Sequence, residues 1–522
     1  MKRIFSSTVW EKAMRIVVIV GFICMMIAFG WNNLRDPNFW LDEAWQLESA
    51  SGIALDAPLL TPPGSFLDAV RQNQVHNGDP GGFTYILHYW MKISTESWWL
   101  RMLPYIFFLC SVYFTVKLSR FFIPSKNIQV FLLFFLFIFG FAFRYSTMLR
   151  PYSMELCGIA MSLYYCLTLF EHYSKRKQWM LGFIGTFFLT SRYSFVLAYS
   201  AILITILILR HKGSVFSFLR QEYGLYLPVL FMGILIYSSA LQYQITVPFT
   251  GHEPFLLHYQ SIWGVLRIVA VNFFSFLALP TTIYLIISCI RYWMLHFLPG
   301  WKTSVEISVR RKKFSEKTHI KLIDPFFILF LWLIFLEIFF AANSWLGYVP
   351  WYITERWSLG IQYASVVALI GCIGCIYEYL ERRFSKNIGI PYIVPILIIY
   401  GALLTMTGLR QGDLRDSTYS NLKQRVNQLQ MEQYFVNYHS HAMIRYLFEF
   451  GPFQKVSRKI YPSHFRFETK EEHDANTAID TTDIDIVLIS HDIPEKFVKR
   501  FSDEFLDISE YRPSYMLKKV IR

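Results

Sequence analysis

The sequence predicts an all-α polytopic membrane protein with a small α/β domain at its C-terminal end. The chain has 522 residues, of which 54% are hydrophobic and only 17% are charged, and its mean hydropathy is +0.34. Apolar runs recur from residue 14 to residue 406, and most are long enough to cross about 30 Å of hydrocarbon. This composition is too apolar for a water-soluble protein of this length, and it excludes the fibrous, disordered and disulfide-scaffold classes.

Hydropathy divides the first four-fifths of the chain into about eleven predicted spans. The segment 179–209 is too long for one crossing and is interrupted by the polar step Thr190, Ser191 and Arg192, so we expect a hairpin of two short helices. The other spans are predicted at 14–30, 100–118, 128–143, 152–170, 223–241, 265–290, 326–342, 357–377 and 388–406. All seven cysteines fall in apolar segments, which argues against structural disulfides.

Positive charge sets the predicted orientation. With the N-terminus inside, the basic clusters at 2–3, 175–177, 310–313 and 382–383 all fall on inner connections, as the positive-inside rule requires. The net charge of +13 is therefore an orientation signal and does not imply a nucleic-acid partner. We expect a multi-pass protein of the cytoplasmic membrane whose C-terminal segment lies outside.

Residues 409–522 differ in composition from the membrane domain 1–408, because charges are interspersed among apolar residues with ordinary soluble periodicity. The segment 421–450 has helical spacing, whereas 483–490 and 515–521 have the character of strands. We therefore predict a separate extracytoplasmic α/β domain.

The most informative part of the chain is the first outer loop, residues 32–98, the longest connection of the membrane domain. It contains the adjacent carboxylates Asp42 and Glu43 in an aromatic and apolar frame, which raises proton affinity and suits a general base. Further along, His76 and Asp79 lie in a turn-rich segment and could contact a sugar or support these carboxylates. An acidic pair at a helix N-terminus, and a turn that selects Asp for backbone reasons, are the structural alternatives.

Arginine dominates the basic residues predicted on the outer side. Its fixed fork of donors suits a phosphate, whereas a loop that needs only solubility could equally use lysine. Any one of them could instead extend to lipid head groups, but an anionic lipid-linked ligand accounts better for the set. Apart from Lys92, the outer basic residues are Arg35, Arg71, Arg101, Arg144, Arg150, Arg192, Arg267 and Arg356.

These motifs resemble those of the GT-C glycosyltransferases, of the protein mannosyltransferase and lipid A aminoarabinose transferase type, and most of all the bacterial RgtA/B/C/D-like set. The resemblance covers about the first 410 residues. The loop after His76 departs from the family pattern, because Asp79-Pro80-Gly81-Gly82 replaces a Pro-Pro pair. The matching elements are Asp42-Glu43, the loop 76–85, the Leu-Arg-Met-Leu-Pro step at 100–104, Arg150-Pro151-Tyr152, Ser191-Arg192-Tyr193 and Glu355-Arg356-Trp357.

The resemblance implies an inverting transfer of a sugar from a polyprenyl-phosphate donor to a glycolipid, glycan or protein acceptor on the outer face. Asp42 would be the catalytic base, and Glu43 would orient it or help it to bind a divalent cation, the one cofactor that the resemblance leaves open. No nucleotide-binding domain is expected, and membrane lipids are the other partners. The predicted donor-phosphate and substrate ligands are His76, Asp79, Arg101, Arg150, Tyr152, Arg192 and Arg356.

Two other classes of function stay open. A multi-pass lipid or small-solute transporter could use the same charged residues as a gate, and a non-catalytic assembly subunit could bind a partner through its tail. Transporters usually keep such features near the bilayer midplane and are often built from repeats. Here the candidates lie at the outer surface and no repeat is seen, so the sequence favours the enzyme.

Overall fold

The computed structural model describes residues 7–35, 41–54, 57, 61–122, 145–242, 244, 325–345, 359–360, 363 and 367, together with five short strand segments between 434 and 519. The spans predicted at 128–143, 265–290 and 388–406 lie outside these residues, and 357–377 is described at four positions only. The predicted number of spans therefore stays a prediction.

The predicted first outer loop is folded into three short helices. Helix α1 (Ser7–Leu34) contains the first predicted span, and the loop then forms α2 (Leu41–Ser51), α3 (Phe66–His76) and α4 (Gly82–Met91). A capping box between Ser65 and Asp68 starts α3 by satisfying its first backbone donors. Gly81, at φ 100°, takes the left-handed conformation that turns the chain into α4.

A bundle of longer helices follows this loop. Its described members are α5 (Ser97–Phe122), α6 (Tyr152–Glu171), α7 (Lys175–Leu189), α8 (Tyr193–His211), α9 (Val215–Gln221), α10 (Tyr223–Ile236), which continues into a π-helix (Tyr237–Leu241), and α11 (Pro325–Trp345). Four of the described segments are long and apolar enough to cross a membrane, namely α5, α6, α8 and α10 with its π-helix. The predicted hairpin is observed, because α7 ends and α8 begins on either side of residues 190–192.

The bundle is held by close contacts between helices, with α5 against α6, α7 against α10 and α8 against α11. Lipid is as apolar as a leucine side chain, so helices in a bilayer associate through close packing and polar contacts. Gly182 of α7 lies so near α10 that an added Cβ would stand 2.0 Å from the Gly224 carbonyl oxygen. The buried Trp332 of α11 donates its indole N–H to the Ala198 carbonyl at 2.9 Å.

The described strands of the C-terminal segment form one mixed sheet of order β2-β1-β3-β5-β4. They are β1 (Tyr434–Val436), β2 (Phe465–Phe467), β3 (Ile486–Ile489), β4 (Phe505–Asp507) and β5 (Tyr515–Lys519). β1 runs parallel to β2 and β3, and β5 runs antiparallel to β3 and β4.

The two predicted strands contain β3 and β5, but the helix predicted at 421–450 is wrong at Tyr434–Val436. These three residues have side chains that favour strands, and β1 is bonded on both edges. Strands in the parallel part of a sheet are often continuous apolar runs, which periodicity does not separate from a helix. A separate α/β domain remains a prediction.

Candidate active site

Four helix N-termini converge on one cluster of charged side chains. Asp42 lies in the first turn of α2, and Asp79 lies in the turn between α3 and α4. Arg150 precedes α6, and Arg192 is the cap residue of α8. The N-terminus of α4 touches the tip of the α7–α8 hairpin, where the Gly82 N–H donates to the Thr190 carbonyl at 2.8 Å. Each N-terminus carries a partial positive charge, so the backbone itself favours an anion here.

Arg150 occupies the centre of this cluster and is surrounded by oxygen atoms. Its Nη1 donates to the Asp42 carbonyl at 3.4 Å, to Gln46 Oε1 at 3.3 Å and to Asn77 Oδ1 at 3.4 Å. Its Nη2 lies 3.8 Å from Asp79 Oδ2, and 15% of the side chain is exposed. All these contacts are long for a charged donor, whose usual distance is about 2.7–2.9 Å. Arg150 is therefore held by several long contacts and is partly accessible.

The charge of Arg150 is stabilised by its neighbours. Burial by itself lowers the pKa of the guanidinium, but the facing Tyr152, Asp42 and Asp79 outweigh that effect, so the pKa lies above its ordinary value. The contact with the Asp42 carbonyl places the two residues beside each other. Asp42 itself is half-buried. The predicted proximity of Asp42 and Arg150 is thus present in the structure.

Arg192 is much more firmly bound than Arg150. Its Nη1 lies 2.8 Å from Glu155 Oε2, its Nε lies 3.7 Å from Asp79 Oδ1, and the side chain is 4% exposed. The guanidinium also stacks 4.8 Å from the ring of the buried Tyr152. Glu155 accepts a second hydrogen bond, from the Ser194 hydroxyl at 2.5 Å. Arg192 therefore faces Glu155, Asp79 and Tyr152 within the protein.

Glu43 fixes the start of α2 to the turn that carries Arg150. Its Oε1 accepts the Leu149 N–H at 2.8 Å, and its Oε2 lies 3.7 Å from Arg101 Nη2. The side chains of both Glu43 and Arg101 are fully buried. Because Glu43 follows Asp42 and Leu149 precedes Arg150, this hydrogen bond holds Asp42 and Arg150 side by side. Arg101, which was predicted to bind the donor, lies behind Glu43 and not at an accessible surface.

A closed ring of hydrogen bonds links Arg150 to the helices α2, α3 and α4. Arg150 donates to Gln46, whose amide donates to the Thr84 hydroxyl at 2.7 Å. Thr84 in turn donates to Asn73 Oδ1 at 2.6 Å, and the Asn77 amide donates to the same oxygen at 3.2 Å. The Asn77 oxygen accepts from Arg150 and closes the ring. Three helices of the first outer loop are thereby joined to Arg150.

The turn that carries Asp79 is held by two more amides. The Asn73 amide donates to the Asp79 carbonyl at 3.0 Å. Gln244, which follows the π-helix, donates a hydrogen bond to the Asn77 carbonyl at 2.7 Å. Its side-chain oxygen accepts a hydrogen bond from the Tyr193 hydroxyl at 2.7 Å. These amides, Glu155 and Ser194 were missed by the sequence analysis. Uncharged polar residues such as Asn73, Ser194 and Gln244 carry no signal of their own until the fold shows their partners.

Two predicted ligands and the predicted cation need separate mention. Arg356 lies outside the described residues, and His76, the last residue of α3, is described in its backbone only. Within the described part of the chain, no three His, Cys, Asp or Glu side chains converge as a metal site would require. Both oxygens of Glu43 are engaged by Leu149 and Arg101. The described residues thus do not fit a divalent cation shared by Asp42 and Glu43.

No protein-family model and no curated protein sequence matches the chain. Among solved structures, ArnT from Cupriavidus metallidurans in the apo state is similar with a TM-score of 0.54 at 11% identity, covering 96% of this chain and 98% of that one. The same enzyme bound to undecaprenyl phosphate gives a TM-score of 0.49 at 12% identity, with the same coverage. An oligosaccharyltransferase from Archaeoglobus fulgidus gives 0.44 at 12% identity, covering 98% of this chain and 74% of that one.

At this identity the similarity to ArnT in the apo state shows the fold alone, so this chain has the same helical membrane fold as that protein. The predicted fold class is confirmed to that extent, whereas the number of spans and the C-terminal domain stay predictions.

Proposed function

We propose that this protein is an integral-membrane glycosyltransferase that moves a sugar from a polyprenyl-phosphate donor to an acceptor at the outer face of the membrane. One observation carries the proposal, namely that the half-buried Asp42 adjoins the partly accessible guanidinium of Arg150 where four helix N-termini meet. The GT-C fold and the motif resemblance support the reaction class. Inversion at the sugar and the nature of the acceptor are part of the proposal.

Arg150 is the residue best placed to hold the donor phosphate. A phosphate oxygen at about 2.8 Å would replace its long contacts to Gln46 and Asn77 by a charge-assisted hydrogen bond. The cluster contains the guanidinium groups of Arg150 and Arg192 and the carboxylates of Asp42, Asp79 and Glu155. Because the carboxylates outnumber the guanidinium groups, these side chains alone do not attract an anion. The convergent helix N-termini add the missing positive potential.

The other predicted ligands have supporting roles in this proposal. Arg192, engaged by Glu155, holds Asp79 beside Arg150, and Tyr152 supports the Arg192 guanidinium. Arg356, at the start of a later predicted span, would supply a further charge to the phosphate.

Asp42 would act as the general base. It would remove a proton from an acceptor hydroxyl or amine, which then attacks the anomeric carbon from the face opposite the phosphate and inverts that centre. The carbon–oxygen bond to the phosphate breaks, and the lipid phosphate leaves as an anion paired with Arg150. A strong general acid is not needed, because the leaving group is already stabilised as an anion.

Glu43 and Arg101 would position this base. The Glu43–Leu149 hydrogen bond fixes the distance between Asp42 and Arg150, and the buried Arg101 balances the charge of Glu43. Of the two roles that the sequence leaves to Glu43, this geometry supports orientation of Asp42.

Separating binding from transfer tests the proposal. Purified protein in nanodiscs is given a panel of labelled polyprenyl-phosphate sugars with a membrane extract as the acceptor source, and binding of undecaprenyl phosphate is measured on the same samples. Asp42→Asn is expected to bind the lipid phosphate normally but to transfer about 100- to 10,000-fold more slowly. Arg150→Gln removes one charge-assisted contact and should weaken binding by about 10- to 150-fold.

Arg71→Gln is the matched control, since Arg71 lies in the same loop but its side chain is 75% exposed. It should change neither quantity. Normal sugar transfer by Asp42→Asn removes Asp42 from the mechanism. Movement of intact donor across a vesicle membrane, without cleavage of the sugar–phosphate bond, contradicts the enzyme and supports the transporter.

A further inference from the structure

A short helix at the opposite end of the bundle from Asp42 has an outward face that the rest of the described structure leaves uncovered. Helix α9 joins α8, which starts at the candidate active site and ends at His211, to α10, which starts at Tyr223. Because both neighbours are candidate spans, α9 lies at the level where the chain leaves and re-enters the membrane. Its inward face is anchored by the buried Phe218, which stacks on Tyr226.

A buried carboxylate fixes α9 to the bundle. Glu222, next to the end of α9, accepts hydrogen bonds from Gln178 at 2.7 Å and from His211 at 3.1 Å, and it lies 2.9 Å from Arg210. The other ring nitrogen of His211 is hydrogen-bonded to the hydroxyl of Ser217, in the middle of α9, at 2.9 Å. The position of α9 is thus set by the protein, and its outward face is presented in a fixed orientation.

That outward face combines large apolar side chains with cations. Phe216 is 77% exposed, and Val215 and Leu219 are exposed beside it. Lys212, which precedes α9, and Arg220, in the last turn of α9, are also exposed.

The start of α7 adds a further cation to this surface. Arg176 is exposed and follows Lys175, whose ammonium group donates to the Gln221 carbonyl at the end of α9. The exposed cations Arg176, Lys212 and Arg220 therefore lie at the same end of the bundle as the exposed apolar side chains of Val215, Phe216 and Leu219.

We propose that α9 binds the surface of an anionic phospholipid leaflet, with Phe216 and its apolar neighbours at the acyl boundary and Arg176, Lys212 and Arg220 paired with lipid phosphates. An apolar face flanked by cations is the pattern of helices that lie in the membrane interface. A neutral leaflet would satisfy the apolar side chains alone, whereas three exposed cations at the same level complement an anionic one. Each cation near such a surface strengthens binding about fivefold. This inference does not depend on the proposed function.

Hydrogen exchange of residues 212–222 tests this contact in the full-length protein. The protein is placed in nanodiscs of phosphatidylcholine and of phosphatidylglycerol, and the exchange rates are compared. The native protein should exchange several-fold more slowly in phosphatidylglycerol. The triple change Arg176→Gln, Lys212→Gln and Arg220→Gln should abolish that difference, whereas Phe216→Ser should speed exchange in both lipids.

A double change of Arg71→Gln and Lys92→Gln is the control, because it removes exposed cations from the first outer loop. It should leave the lipid dependence of α9 unchanged. Equal exchange of the native protein in the two lipids overturns the inference without the need for any variant. If α9 exchanges equally slowly in both lipids, and exchange becomes faster when each nanodisc holds only one copy of the protein, a second copy of the chain covers this face instead of lipid.

Discussion

Single substitutions of Glu155 or Arg192 should overstate how much their ion pair contributes to the free energy of unfolding. Both side chains are almost completely buried, and their closest atoms are 2.8 Å apart. Removing one member of a buried pair leaves an uncompensated charge and costs about 3–5 kcal/mol, whereas replacing both members costs less than the sum of the two single changes. A double-mutant cycle of Glu155→Gln and Arg192→Gln separates these effects.

The structure sets the expected magnitudes. In Glu155→Gln, Arg192 keeps Asp79 at 3.7 Å and the new amide oxygen still accepts from Ser194, so the cost should be about 3 kcal/mol, at the low end of the range. In Arg192→Gln, Glu155 keeps only the Ser194 hydroxyl among the partners described here, and the cost should be about 4 kcal/mol. The double variant should cost about 4 to 5 kcal/mol, which gives a coupling energy of about 2–3 kcal/mol.

Equilibrium unfolding of the four proteins in mixed micelles measures these values. The matched control is the Arg120–Glu171 pair, whose side chains are 41% and 33% exposed and 3.7 Å apart. Exposed pairs contribute little, so its two changes should be additive within about 0.5 kcal/mol. If the unfolding free-energy costs of the Glu155 and Arg192 changes also add, as in the control pair, the assignment of a tightly coupled buried pair is refuted.

Three further predictions concern the backbone. Gly182→Leu should prevent the contact with Gly224 and sharply lower the unfolding midpoint of the purified protein. Gly233→Leu is the control and should leave that midpoint unchanged, because the space around Gly233 is open. Gly81→Ala, at φ 100°, should cost more than about 1 kcal/mol and should weaken undecaprenyl-phosphate binding through the Asp79 turn. The Ser65 hydroxyl lowers the pKa of Asp68, so the cap of α3 is stabilised above the unfolded-state pKa and is lost as pH falls through the folded value. Hydrogen exchange at the start of α3 should therefore accelerate on acidification.

The parts of the site that could be predicted are those whose chemistry is visible in single residues. Asp42 and Arg150 are 108 positions apart in the chain, yet each stands out as a charged residue beside an apolar helix, and the structure places them together. The break at residues 190–192 was predictable because three polar residues interrupt a run too long for one crossing.

The parts of the site that could not be predicted depend on contacts between residues that are far apart in the chain. Glu155 had a usable signal, since a carboxylate in the first turn of an apolar helix requires a partner there. Arg192 supplies that partner, but only the fold brings the two together. Asn73 and Gln244 had no such signal, because an amide in a loop is ordinary until its partners are known. The strand Tyr434–Val436 was mistaken for helix since three apolar residues fit both periods.

The contact between Gly82 and Thr190 limits how the candidate active site can change in shape. The Gly82 N–H is bonded to the Thr190 carbonyl, and an added Cβ would stand 2.0 Å from the Thr190 hydroxyl oxygen, so even a methyl group cannot enter. Any enlargement of the site therefore has to leave this junction intact and shorten side chains elsewhere, or else move α4 together with the tip of the α7–α8 hairpin as one unit.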